Sequence, residues 1–411
     1  MGQYSAHMGS QFAWLDFSEH ERRKALDVID LFRERDTRDE LGIGTVRDAL
    51  SDVLFPGTST IQTRARYFLF VPWIYLAQER RKGAAADTER LVRREEIRLI
   101  DALTGAGETE GVVGIEARAS LKRLPSNIYW EGLRAWGLRT LAVSQSEYHR
   151  FFATFAARES RRGEFAEDEG DRGSGGRKVW HDAIPEAPED FPGVGQFALR
   201  EIEAQYLRER LLARQPGKLL AYLVDQSPAA TQCAFPWEHP RKTSFPERNR
   251  VELEHARRFA LVMHGATLLY NLLLAEAGKN DELTEQYRAA MAAWAAELEA
   301  ERAELVGWDR IAFWRLVRSE NPRSPVPTQA FINGWLDLAL SASTASAIAD
   351  RIDARTMVAN REKRLKGALS RLANARALEL WGGESGAYRL NYRWFRVQTI
   401  VNDIVKGLGH A

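Results

Sequence analysis

One cysteine, Cys233, stands among 411 residues, so intrachain disulfides and every multi-cysteine zinc or iron–sulfur site are excluded. A lone thiol fits a reducing compartment and reads as a small core residue rather than a nucleophile. Charge of one sign is lacking too. The 58 Lys plus Arg nearly cancel 57 Asp plus Glu, so no global field steers the chain toward nucleic acid or anionic lipid. Lysine is scarce: ten of the 58 cations are Lys and the other 48 are Arg, a bias that coding composition explains as readily as phosphate binding does. No apolar run reads as a membrane span. Residues 67–77 are continuous over only 11 positions, against the roughly 20 a span needs. Residues 259–275 are interrupted by His264, Gly265 and Asn271 and read as a buried core helix. Residues 1–11 lack the apolar stretch of a secretory signal and read as a loose arm, native or vector-derived. The expectation is a cytoplasmic protein with no membrane partner.

Familiar catalytic spacings are absent as well. There is no Gly-x-x-x-x-Gly-Lys-Ser/Thr phosphate cradle, no His-Glu-x-x-His and no Gly-x-Ser-x-Gly. No histidine has Lys two residues on, and no lysine has Asp or Glu two residues before it. These absences remove the usual phospholipase-type and carboxylate–lysine nuclease cores. Gly42-Ile43-Gly44 starts a dinucleotide fingerprint but places Arg47 where the third glycine belongs. His255 and His264 lie nine apart, on different faces of one helix, and His255 reads as a hydrogen-bonded core histidine. Glu238-His239 beside Trp237 reads as an acid–base pair or as a partly buried turn. Asp16, Asp36, Asp39 and Glu40 are metal carboxylates or a solvated acidic loop. No metal site and no cofactor is expected.

What is present is helical periodicity. Ser18 and Glu21 form a capping box ahead of Ala25, Leu26, Ile29 and Phe32. Residues 45–55 make a short helix stopped by Pro56-Gly57, and residues 89–103 an amphipathic one closed by Gly105 and Gly107. Between them Pro72 is expected to kink or end a helix. Two stripes, from Val251 to Leu273 and from Leu283 to Leu305, flank Gly278-Lys279-Asn280 and predict an antiparallel hairpin. Residues 158–178 are charged and glycine-rich, and eight of the 14 prolines fall within 185–246. The predicted fold is mainly α and multi-helical, in two lobes: a helical domain at 12–157, a flexible linker at 158–195, and a helical domain at 196–407.

Three stretches join arginine to aromatic residues, the pairing that phosphate and base contacts use. In the first, Thr58, Thr60, Arg64 and Arg66 gather hydroxyls and guanidinium groups at a helix start, an anion site or a set of caps and ion pairs with Asp48 or Asp52. The second, 118–139, holds Tyr129, Trp130 and Trp136 among five cations, as a binding face or a packed cluster. The third, 351–376, places Arg361, Arg364 and Arg371 opposite a face of Leu365, Leu369 and Leu372, with Arg389 and Arg393 beyond it. Residues 377–381 and 387–392 flank a glycine turn as two short strands, so 340–407 predicts a winged-helix-like end able to enter a DNA groove.

Several segments resemble one uncharacterised bacterial family over 12–407: Phe12-Ala13-Trp14-Leu15-Asp16-Phe17, Phe55-Pro56-Gly57-Thr58-Ser59-Thr60, Arg64-Ala65-Arg66-Tyr67, Arg123-Leu124-Pro125-Ser126-Asn127, Trp381-Gly382-Gly383 and Tyr392-Arg393-Trp394. The resemblance implies an accessory protein of multigene antiphage defence loci of the Azaca type, encoded beside helicase and phospholipase-D-type nuclease genes. No catalytic residue follows from it. The expectation is a non-enzymatic subunit that binds nucleic acid, DNA above all, or a helicase–nuclease partner. A metal-dependent nuclease of unfamiliar type and a pure protein scaffold are the alternatives.

Overall fold

The computed structural model describes residues 39–80, 88–152, 179–193, 195–227, 230–323, 325–341 and 348–409. The Ser18 capping-box helix, Asp16, Asp36 and the charged stretch 158–178 lie outside the described residues. The chain is mainly helical. Among the described residues its β pairing is a lone antiparallel bridge between Arg139 and Trp180.

The N-terminal half supplies α1 (Gly44–Leu54), α2 (Tyr67–Glu79), α3 (Thr88–Gly105) and α4 (Pro125–Ala135). Asp39 is the start signal for α1: its two carboxylate oxygens accept from the amides of Ile43 (2.6 Å) and Gly44 (2.8 Å), satisfying donors that have no partner within the helix. Gly57, at φ +79°, makes the turn that follows. Pro72 does not end α2, which continues to Glu79. Ten residues of that helix, Pro72 included, are buried, and burial on this scale outweighs the roughly 3 kcal/mol an internal proline costs.

The C-terminal half holds α5 (Glu201–Arg214), α6 (Leu219–Gln226), α7 (Glu247–Ala277), α8 (Asp281–Ala300), α9 (Arg302–Val306), α10 (Arg310–Glu320), α11 (Val326–Ser341), α12 (Ile352–Lys366), α13 (Ala375–Glu379) and α14 (Trp394–Gly407). α7 is the axis. It alone among the described helices is long and apolar enough to cross a membrane, yet 78% of its apolar window is buried by its neighbours, as a core helix requires. α7 and α8 form the expected antiparallel hairpin. The indole N–H of Trp294 donates to the Leu261 carbonyl (2.8 Å), and Arg288 pairs with Glu276 nearer the turn (2.9 Å). Gly265 lets the Trp294 ring lie directly on the α7 backbone. His255 is a core histidine, accepting at Nδ1 from the Trp308 indole (2.8 Å). Cys233 is half-buried, and burial pushes its thiol pKa up, away from nucleophilic reactivity. α1 packs against α10, and α14 packs against α5 and α6, so one contiguous apolar core draws on residues from Leu41 to Val405.

The winged-helix-like end is not there. Residues 375–379 are helical and 380–393 form turns without a strand. The glycine turn that would join the two strands is fastened to side chains of α7 and α8, and the Ala387 carbonyl to His264. Asn271 accepts from the Ser385 amide (2.8 Å) and donates to the Ser385 carbonyl (2.9 Å), while the Tyr287 hydroxyl donates to the Gly383 carbonyl (2.7 Å). The face predicted for α12 is shifted, although Arg364 is exposed and Leu372 packs on the core as expected. The helix stops before Gly367, at φ +54°, so a periodicity read through to Leu372 crosses a break. Leu365 and Leu369 are exposed. The buried face carries Ala354, Val358, Arg361 and Glu362.

Candidate functional site

The first stretch does bind anions, and they are the protein's own. Arg64 holds Asp403 of α14 through Nε (2.9 Å) and Nη2 (2.8 Å), and the Ala65 amide donates to the same carboxylate (2.9 Å). Arg66, 3% exposed, pairs with the fully buried Glu203 (2.9 Å) and donates to the Gln196 carbonyl (2.8 Å). The buried Thr58 hydroxyl donates to the Phe55 carbonyl (2.6 Å). Asp48 and Asp52, the partners expected from sequence, meet Arg393 instead, at 3.7 and 2.8 Å. Burial raises the pKa of Asp52, and Arg393 opposes the shift.

The second stretch is a packed cluster. Tyr129, Trp130 and Trp136 are buried, and the buried Arg139 lies 4.6 Å over Trp130 with its guanidinium donating to the carbonyls of Leu141 and Val143, both at 2.6 Å. In the third, Arg371 is turned inward to Glu40 (3.0 Å) and to the Ser385 hydroxyl. Lys366 reaches Glu40 and Glu362, and the Ser370 hydroxyl donates to Glu362. Glu40 and Glu362 are 5% and 0% exposed, so this is an internal charge network with both signs matched. Glu40 is thus part of the core, not of a solvated acidic loop. Arg361 is buried beneath the groove between α11 and α12, and Arg364 is exposed at its edge.

Two of the three stretches meet at a cleft that sequence reasoning did not foresee. It encloses about 450 Å³ between residues 39–51, the middle of α7 and residues 385–395. Thr60 from the first stretch and Arg389 and Arg393 from the third line it, joined by Arg47, His264, Phe235 and Tyr388. Arg393 donates to the Thr58 carbonyl (2.7 Å) and Arg396 to the Thr60 carbonyl (3.2 Å), which fastens the two stretches together. Arg389 stands 5.6 and 5.4 Å from the ring centroids of Phe235 and Trp237 and pairs with Glu297 (2.5 Å). Its Nε–H is buried and has no acceptor among the described residues. Tyr388, 50% exposed, presents its ring at the rim.

His264 lies 3.0 Å from the Ala387 carbonyl through Nε2. A carbonyl only accepts, so Nε2 carries the hydrogen and Nδ1 keeps its lone pair. Burial lowers the His264 pKa, which favours this neutral form. The cleft carboxylates are engaged: Asp39 caps α1, Glu40 lies in the internal network, and Asp48 contacts Arg47 (3.0 Å). Among the described residues no three His, Cys, Asp or Glu side chains converge as a metal-ligand set. The cleft residues missed by sequence reading, Arg47, Phe235 and Tyr388, come from segments far apart in the chain, and no local spacing marks them.

No curated protein and no solved structure matches the chain. A family model matches residues 9–406, almost the full length, and the chain belongs to that family, a family of unknown function (DUF6361).

Proposed function

We propose that the chain is a non-enzymatic recognition subunit of a multigene antiphage defence system, and that its cleft takes one nucleotide unit of a nucleic acid. The observation that carries this reading is the cleft wall: an arginine with an unsatisfied buried N–H, Arg389, set beside an exposed tyrosine, Tyr388. A buried donor without a partner calls for an acceptor, and an exposed aromatic ring is a stacking platform for a base. A volume of about 450 Å³ falls within the range of small-molecule pockets, roughly 300–1,000 Å³, and suits one nucleotide rather than a duplex. The nearly neutral whole chain implies that affinity depends on this local surface. Bond-breaking then falls to a helicase–nuclease partner encoded beside it.

Anisotropy with labelled single-stranded DNA and RNA tests the reading. Tyr388→Ala removes about 1–3 kcal/mol of stacking, roughly 5- to 150-fold in Kd, and Arg389→Ala weakens binding further. Equal affinity of wild type and Tyr388→Ala for every oligonucleotide refutes the assignment. Incubation with DNA or RNA and Mg²⁺ or Mn²⁺ addresses the nuclease alternative, for which strand cleavage is the signature. Co-purification with neighbouring gene products that survives nuclease treatment marks the scaffold alternative.

A further inference from the structure

The shallow groove between α11 and α12, about 780 Å³, lies apart from the cleft. Its lining is largely apolar, with Pro327 and Phe331 on α11 and Ile352 and Met357 on α12. Ile352 is 82% exposed and Pro327 is exposed on the facing wall, and apolar exposure lining one groove marks an interaction surface. Beneath the lining lies a charge. Arg361 is 6% exposed, and its guanidinium donates to the carbonyls of Leu41 (2.8 Å) and Gly42 (3.2 Å) and to the Thr328 hydroxyl (2.8 Å). None of these partners is anionic. Arg364, exposed on the same wall, has no ion pair among the described residues. Asp353, which also lines the groove, is held by Arg351 at 2.5 Å. Burial lowers the pKa of Arg361, and Asp39 opposes this while Arg364 adds to it. A guanidinium stays charged regardless. The groove therefore combines apolar surface with two cations that no described carboxylate pairs.

We infer that this groove docks an acidic amphipathic helix of a partner protein. Two packed helix walls accept a third helix through side-chain ridges set into grooves. The apolar face of that helix covers Phe331, Ile352 and Met357, and a carboxylate on its flank pairs with Arg364 and Arg361. A nucleic-acid backbone is the poorer occupant, since phosphates offer nothing to bury the apolar lining. The inference is independent of the cleft assignment.

The test uses the full chain and two synthetic 18-residue helices sharing leucines at i, i+3, i+4 and i+7. One peptide carries glutamate at the flanking positions and the other carries lysine. The acidic peptide is expected to bind at least about tenfold more tightly than the basic one. Ile352→Glu should abolish binding, and Arg364→Glu should erase or reverse the charge preference. Both side chains are exposed, so thermal melts matching wild type confirm retained folding. Absence of acidic-peptide binding, or equal affinity for the two peptides, overturns the inference. Binding seen only after deletion of residues 1–38 also overturns it, because the groove then belongs to the chain's own N-terminal segment.

Discussion

Glu96 on α3 offers the sharpest test of the interior electrostatics. Its side chain is fully buried and accepts from the Ser126 amide (2.6 Å) and the Ser126 hydroxyl (3.0 Å) at the start of α4. Burial pushes its pKa from the usual 4.5 up to about 8; the Ser126 bonds and the more distant Arg93 only moderate the rise. The unfolded chain releases this proton near 4.5 and the folded chain holds it to about 8, so the native state binds more protons in between. Stability therefore falls as pH rises through that window and levels off above it. At about 1.4 kcal/mol per unit, the span from pH 6 to 8 costs roughly 2–3 kcal/mol. Glu96→Gln keeps the shape and cannot ionise, so it lacks this loss. With an unfolding entropy of about 2 cal/mol/K per residue, the wild-type Tm should drop relative to the variant by roughly 3 °C between pH 6 and 8. Melting curves for both proteins across pH 5–9 decide the matter. Parallel profiles would refute the claim that a neutral carboxyl sits beneath α4.

Two further outcomes follow from packing and pairing. A Cβ on Gly265 would approach the Trp294 ring to 2.2 Å, so Gly265→Ala should cost about 1–3 kcal/mol in urea unfolding despite its better helix propensity; a neutral or stabilising result would show that the ring can shift freely. Asp403→Ala strands Arg64 and the Ala65 amide and should cost roughly 3 kcal/mol, with Asp403→Asn recovering part of it because the amide oxygen still accepts. Equal stability of the three proteins would show that the Arg64–Asp403 contact contributes nothing.

Local signals in the sequence suffice where local physics decides. α1 and the α7–α8 hairpin follow from apolar periodicity, a breaker pair and a glycine turn, all within a few dozen residues. The arginines were another matter. Arg66 finds Glu203 across 137 positions and Arg371 finds Glu40 across 331, and a one-dimensional pattern shows neither carboxylate. Each arginine on its own suits a phosphate contact as well as an internal ion pair. Residues 377–392 misled for the opposite reason. Their alternation suits strands, but Asn271 and Tyr287 tie the intervening turn to α7 and α8, and residues 375–379 are helical. The cleft is legible only in fragments: the sequence marks Thr60, Arg389 and Arg393, while the fold alone joins them to Tyr388 and Phe235.

The clasp between the segment leading into α2 and α14 has a consequence for biosynthesis. Arg64 leaves the ribosome 339 residues ahead of Asp403, on the order of tens of seconds at common elongation rates. Until then its guanidinium and the neighbouring Ala65 amide wait without their native counter-ion, and the apolar surface that α14 covers on α5 and α6 stays open. Completion of the interior thus waits on synthesis of α14, and nascent chains stalled short of it should be the ones that chaperones hold.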